Sequence, residues 1–293
     1  MMRIITISGD IGGGKSAVSK CLEGLLGYGV IGTGAIQREI AKKRGVTTLE
    51  LNQLSITDPS IDEEIDGFVI HLGQSGSDII IDSRLAWHFI PASFKAFLIV
   101  DPLIGAQRVF ADRRAEEKNP TLAQTLDNNR QRQQLELARF KHLYAVNFRD
   151  FANYDTVIDT SYSPPAAIAA KLAELYAMAL RQEAFPRAWV NARRLVPTRA
   201  IPAEAAAEIA AIRESIRRDG FDYGQPIACV CHEDFLYIRD GHKRALAAHL
   251  EGVDLLPCSL ASGEAGRGPD AAARAPAWRV DWQEALGDEP GHA

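Results

Sequence analysis

Gly9-Asp10-Ile11-Gly12-Gly13-Gly14-Lys15-Ser16 has the spacing G-x-x-x-x-G-K-S, in which each residue type answers to one part of a nucleoside triphosphate. The glycines let the backbone curl around an oxyanion with several N–H groups turned inward, and the helix that follows adds the partial positive charge of its N-terminus. Lys15 is placed to reach the β- and γ-phosphates, and the Ser16 hydroxyl is placed to ligate Mg²⁺. The expected cradle runs from Gly9 through Ala17 and binds ATP or GTP.

Such a loop needs a strand to deliver it and a helix to leave by. Arg3-Ile4-Ile5-Thr6-Ile7-Ser8 is a short β-branched run suited to a buried strand, and Ala17 to Leu26 carries apolar residues at helical spacing. Further strands are predicted at 78–82, 96–100 and 154–161. Helices are predicted from 34 through 43, after a break at Thr57-Asp58-Pro59 to Leu72, and over 104–118, 122–144 and 164–181. Alternating strands and helices with crossovers of about 20 residues or more argue for an α/β fold, a parallel sheet with helices on both faces.

A chain of 293 residues with 46% hydrophobic composition has enough apolar material for a sizeable core and divides most naturally into two domains. Its net charge of −5, from 33 basic and 38 acidic residues, argues against a protein that coats DNA or an anionic membrane. The glycine-rich loop begins too early to leave room for a leader, and no apolar run approaches about 18 residues, so the cytoplasm is the expected location. Cys21, Cys229, Cys231 and Cys258 lack the density of a disulfide framework. Cys229-Val230-Cys231 lacks the spacing and partner pair of a zinc site, and all four are read as buried thiols. Oligomeric state is not legible.

Four later segments add chemistry: Thr33-Gly34-Ala35-Ile36-Gln37-Arg38; Asp82-Ser83-Arg84, which ends an apolar strand; Arg132-Gln133-Gln134-Leu135-Glu136-Leu137-Ala138-Arg139-Phe140-Lys141; and Asp155-Thr156-Val157-Ile158-Asp159-Thr160-Ser161. With the glycine loop they resemble the nucleoside monophosphate kinases, specifically the shorter, archaeal-type cytidylate kinases, over residues 2 to about 180. The family patterns are T-G-A-x-x-R, R-x-x-S-E-x-x-R-Y-K and D-x-V-I-D-T-S; this chain departs from the second at Leu135, where serine stands, and at Phe140, where tyrosine stands.

The resemblance implies a five-stranded sheet of order 2-3-1-4-5, ATP and Mg²⁺ as cofactors, and a nucleoside monophosphate or related phosphorylated small molecule as acceptor. It implies that Arg38 and Arg84 grip the acceptor phosphate, that Asp82 stands near the Mg²⁺ shell, and that Leu51 to Asp62 belongs to an acceptor-binding helical insert. Arg132 and Arg139, with Arg113 as a further candidate, would be lid arginines. These types suit the task, since a guanidinium fork binds phosphate through parallel charge-assisted bonds. Phosphoryl transfer needs positioning and charge neutralisation more than a covalent catalyst. Arg132 and Arg139 are seven apart and share a helix face. The acceptor stays open among CMP, dCMP, UMP, a modified nucleotide and another phosphorylated small molecule.

Composition shifts after residue 182. Arg187 to Arg199 is basic and proline-punctuated, Ala203 to Arg218 is an alanine-rich helix, and Gln225-Pro226-Ile227 leads into a strand, a turn and a second strand. Asp240-Gly241-His242-Lys243-Arg244 then opens a helix. With Pro197-Thr198-Arg199, this order over about 192–262 resembles the N-terminal domain shared by ParB partition proteins, sulfiredoxins and certain free serine kinases. Histidine stands where sulfiredoxins carry a reactive cysteine, no room remains for a helix-turn-helix, and the acid of the serine kinases is missing near Pro197. The expectation is therefore a small α+β module that binds a nucleotide or phosphate, with Asp240 to Arg244 as its anion cradle. The predicted domains are 1–182 and 188–262, followed by a flexible tail over 263–293. A bifunctional kinase with a second active site and a nucleotide-dependent switch remain as alternatives. The arginine set favours transfer, because a switch needs no acceptor-phosphate clamp.

Overall fold

Isoleucines at 4, 5 and 7 with Thr6 between them favour extended backbone, and Ile4–Gly9 is buried along its whole length as β1, the middle strand of a sheet. The computed structural model describes residues 3–46, 51, 54, 58–112, 121–232 and 234–261. The chain divides into two compact units, Met1–Val157 with Pro164–Ala184, and Ile158–Ser163 with Phe185–Ala293.

In the first unit β1 leads into α1 (Lys15–Leu26), β2 (Gly29–Gly32), α2 (Thr33–Arg44), α3 (Pro59–Gln74) and β3 (Ile79–Asp82). A single helical turn at Ala86–Phe89 precedes β4 (Phe94–Ile99), α4 (Pro102–Ala111), α5 (Leu122–Tyr144), β5 (Thr156–Asp159) and α6 (Pro165–Leu180). The strand order is β2-β3-β1-β4-β5, as the resemblance implied. β1 runs parallel to both β3 and β4, and β2 parallel to β3. The chain passes into the second unit within β5.

Local signals set the helix ends. Asp58 caps α3 by accepting from Ser60 N, Asp101 caps α4 from Leu103 N and Ile104 N, and Thr121 caps α5 from Gln124 N. Prolines 59 and 102 stand at the first helical positions of α3 and α4, where a missing N–H does no harm. α1 packs on α6, α2 on α3, and α4 on α5. Ile36 and Ile40 of α2 join Ile61 and Val69 of α3, and Ile79 and Ile81 of β3, in one buried cluster. The C-terminal ends of β1 and β3 therefore emerge side by side, with α1 starting just beyond them.

The second unit is a mixed sheet of order β6-β10-β8-β9-β7, formed by β6 (Ala188–Val190), β7 (Leu195–Val196), β8 (Ile227–His232), β9 (Phe235–Asp240) and β10 (Leu256–Leu260). β8 and β9 form an antiparallel hairpin, β10 is parallel to β8, and β6 is antiparallel to β10. Two helices, α7 (Ala206–Asp219) and α8 (His242–Leu250), pack on each other. Arg213 and Arg217 of α7 hold Glu251 at 2.6 and 2.7 Å. Asp159 is fully buried and faces Arg194 Nε at 3.5 Å while accepting from Asn191 N and Ser161 N. Burial pushes its carboxyl up, and Arg194 opposes that shift.

The thiol expectation needs correction. Cys229 and Cys258 are buried, but Cys21 is only partly buried and Cys231 is exposed. Cys231 pairs with Leu236 one position before the end of the β8–β9 hairpin. Arg113 and the stretch 263–293 lie outside the described residues, and α4 is described only to Ala111. Among the described residues no helix is long and apolar enough to cross a membrane.

Candidate active site

The glycine loop is built by close approach. Gly12 has φ +77°, and a Cβ there would lie 2.3 Å from the carbonyl oxygen of Gly105 in α4. Only glycine at both positions lets the loop lie on that helix, and Arg108 of the same helix donates from Nη1 to Gly12 O at 3.2 Å. The Asp10 carboxylate turns inward: Val100 N donates to it at 3.3 Å, Arg149 Nε stands 3.1 Å from it, and the residue is buried. The loop is thus pinned from below, and Gly14, at φ +75°, turns the chain into α1.

Lys15 follows. Its ammonium is lowered to about 8, first by desolvation and next by the Arg84 charge, against the opposing pull of Asp82, Glu136 and Asp10. A cation held where solvation is poor and another cation stands nearby is prepared for an anion. Ser16 Oγ donates to Asp82 Oδ2 at 2.8 Å, which places the hydroxyl and the acid at the end of β3 in one spot. Thr33 Oγ1, at the start of α2, donates to Asp82 O at 3.0 Å and fixes that strand end.

Arg84 is held firmly. Its Nη1 donates to Gly9 O, its guanidinium lies 5.6 Å from the Phe148 ring centroid, and its Nε stands 2.9 Å from Glu136. Arg132 Nε reaches the other oxygen of Glu136 at 3.1 Å. Lys15, Asp82, Arg84, Glu136 and Arg132 therefore form one charged cluster beside the loop. Arg139 goes elsewhere: it pairs with Asp62 of α3, and in the next turn Tyr144 Oη donates to Asp66 at 2.7 Å. Seven residues of α5 advance roughly 10 Å along the axis, so the two arginines share a face but meet different partners. Arg38 is exposed on α2, its Nη1 over Gly34.

Glu136, Arg149, Gly105 and Arg108 were not marked as site residues by sequence reasoning. Glu136 carried a usable signal, four residues after Arg132 on a predicted helix. The other three become visible only through tertiary contact.

In the second unit Gly241, at φ +94°, turns β9 into α8. The basic residues that follow it are engaged: Lys243 pairs with Glu208, Arg244 Nη2 with Asp240 at 3.2 Å, and Arg244 Nη1 with the carbonyls of Gln225 and Pro226. His242 is buried, with Nε2 3.0 Å from Thr198 Oγ1 and 3.3 Å from Thr198 N. Desolvation lowers its pKa, Arg199 adds to the shift and Asp240 opposes it.

The family described as AAA domain matches residues 5–136. A cytidylate kinase of Methanocella arvoryzae is 36% identical over 158 residues, covering 54% of this chain and 87% of that protein. A cytidylate kinase of Methanothrix thermoacetophila is 35% identical over 157 residues, covering 54% and 88%. Among solved structures, a shikimate kinase from Acinetobacter baumannii in complex with shikimate aligns with a TM-score of 0.42 at 16% identity, covering 61% of this chain and 95% of that one. At 35–36% identity over 87–88% of the two cytidylate kinases, the chain belongs to the cytidylate kinase family and is a phosphotransferase.

Proposed function

We propose that the protein transfers the γ-phosphoryl group of ATP to a nucleoside monophosphate, with CMP or dCMP as the first acceptors to test. The observation that carries this reading is the cluster Lys15, Arg84 and Arg132 around one loop, with Ser16 2.8 Å from Asp82. Four cytidylate kinase relatives or more at 30–36% identity point to the same acceptor class.

Residue roles follow from charge and position. The loop N–H groups and Lys15 would bind the donor phosphates, and Lys15 would follow the γ-phosphoryl as charge moves. Arg84, immobilised against Gly9 and Phe148, would orient the acceptor phosphate, with Arg38 as a second, exposed contact. Arg132 would neutralise the oxygens in flight, and Arg139 would hold α5 to α3 through Asp62. The positioning is the catalysis here, because the transition state asks for alignment and charge neutralisation.

No cluster of three or more His, Cys, Asp or Glu residues suited to a metal occurs among the described residues. Ser16 and Asp82 supply two hard oxygens, which suits Mg²⁺, an ion that completes its shell with phosphate and water. Those two residues would hold it, and it would supply charge neutralisation at the donor phosphates.

For the second unit we propose a ligand-binding module of the ParB and sulfiredoxin type. The turn at Gly241 into α8 supports it, as do the α8 N-terminus and nearby Arg199. With Lys243 and Arg244 paired, anion binding there would fall to backbone N–H groups.

The test is the full chain with ATP and a panel of CMP, dCMP, UMP, AMP, GMP and serine, following ADP and the phosphorylated product. Product formed from a pyrimidine nucleoside monophosphate supports the proposal. ADP release indifferent to every acceptor overturns it in favour of a hydrolytic switch.

A further inference from the structure

Glu136 lies between two guanidinium groups with different supports. One carboxylate oxygen is 2.9 Å from Arg84 Nε and the other 3.1 Å from Arg132 Nε. Arg84 is fixed on several sides: its carbonyl accepts from Ser8 Oγ at 3.1 Å and from Trp87 Nε1 at 2.9 Å, and its guanidinium is held by Gly9 O and the Phe148 ring. Arg132 stands one helical turn before Glu136 on α5, and its side chain is 55% exposed.

Two like charges that share one neighbourhood repel each other. A carboxylate between them reverses the sign. Arg132 Nε–H donates to one carboxylate oxygen, and Arg84 Nε stands in ion-pair contact with the other, so the carboxylate engages both groups near their stems. Glu136 is 20% exposed at its side chain, which leaves these pairs less screened than ordinary surface contacts.

We propose that Glu136 is a positioning residue of the phosphoryl-transfer site: it carries the fixed orientation of Arg84 over to the exposed Arg132, so that the acceptor-side and lid-side guanidiniums act as one unit. This rests on the kinase reading above. Glu136 takes no proton and forms no bond with a reactant; it sets the angle from which Arg132 meets the moving phosphoryl oxygens.

The test uses the full chain with Glu136→Gln and Glu136→Asp, measuring initial rates with ATP and the best nucleoside monophosphate. The expected result for Glu136→Gln is kcat lowered about tenfold and acceptor KM raised several-fold, with ATP KM within about twofold of wild type. Glu136→Asp recovers part of kcat. In a double-mutant cycle, Arg84→Lys and Arg132→Lys are non-additive in the wild-type background and become additive once residue 136 is glutamine. A brace that only stabilises the fold would instead lower the melting temperature and ATP affinity together and leave both cycles additive, which overturns the proposal. Unchanged kinetics in Glu136→Gln overturn it as well. Should the glutamine variant not fold, the aspartate variant is judged by the same split between kcat and ATP KM. A wild-type chain that phosphorylates no nucleoside monophosphate sinks the kinase reading and this proposal with it, whereas an active wild type with an indifferent Glu136→Gln sinks the proposal alone.

Discussion

Two turns in this molecule share one local design and differ in what surrounds them. In the first unit β1 ends at Gly9 and Gly14, left-handed at φ +75°, opens α1 at Lys15; in the second β9 ends at Asp240 and Gly241, left-handed at φ +94°, opens α8 at His242. Each puts a basic residue in the first helical turn. Around the first turn the positive charge is crowded: Lys15 is desolvated with Arg84 nearby, and Arg132 shares Glu136 with Arg84. Around the second, Lys243 has Glu208 and Arg244 has Asp240. A glycine-initiated helix gives an anion a place to arrive, but the balance of charge crowded around it decides how strongly the place attracts one.

The sharpest break in the comparison comes from the two glycines. A methyl at Gly12 would meet the backbone of Gly105 at 2.3 Å, whereas a methyl at Gly241 would meet Ile227 Cδ1 at 2.9 Å and Arg244 Nη2 at 3.2 Å. Backbone cannot step aside, and side-chain ends can. Gly12→Ala is therefore expected to cost about 3 kcal/mol or more and to abolish ATP binding. Gly241→Ala should cost about 1–2 kcal/mol, mainly for the left-handed backbone. Thermal unfolding and ATP titration of both variants check this, and equal losses would erase the distinction.

The lysines come next. Lys15→Ala removes a charge-assisted contact of about 1.5–3 kcal/mol, roughly a 10–150-fold loss in kcat/KM. Lys243→Ala should leave ATP-dependent transfer within about twofold, because that ammonium is paired with Glu208. A coupled ADP assay on both variants separates them.

A smaller effect follows from the lowered pKa of Lys15, about 8. Bound phosphate favours the ammonium and raises its pKa. At pH above about 8 the free protein has lost the proton and must take one up on binding. ATP affinity should then fall by up to about tenfold per pH unit above 8 and stay flat just below it. Calorimetry in buffers of different ionisation enthalpy should show proton uptake at pH 8.5. No uptake would mean that desolvation of Lys15 is not what distinguishes the first turn.

These contrasts also show how much the sequence could disclose. The glycine loop was legible because its demands are local: four glycines, a lysine and a serine in fixed order between a strand and a helix. The sheet order of the first unit was legible through the resemblance, α3 through the break at Thr57-Asp58-Pro59, and α6 through its apolar spacing. The floor of the loop was not, since Gly105 and Arg149 lie about 90 and 140 positions from the residues they touch. β6 and β7 span three and two residues, too few for a period to register, and with β10 they are strands through long-range pairing. Arg139 was read on one helix face with Arg132, but its partner Asp62 comes from another helix. Spacing along one helix cannot say what stands opposite it.

The last difference between the turns is in their titration. Lys15 is lowered in a cluster that an anion can relieve, whereas His242 is lowered by burial, with Arg199 adding and Asp240 opposing. A histidine whose folded pKa lies below its unfolded value of about 6.5 binds fewer protons folded than unfolded, so stability is lost as pH falls through 6.5. The slope cannot exceed about 1.4 kcal/mol per pH unit for one group. His249 shares the sign, lowered by burial and then by Arg193, so the second unit should lose stability between pH 7 and 5.5 on two counts. His242→Asn should flatten part of that slope, since asparagine can still face Thr198 but does not titrate. The check is urea unfolding followed through Trp189, which is buried in the second unit, at pH 7.0, 6.0 and 5.5. If the wild type and His242→Asn lose stability in parallel, His242 is not held neutral by its burial, and the second turn would have to be regarded as charged like the first.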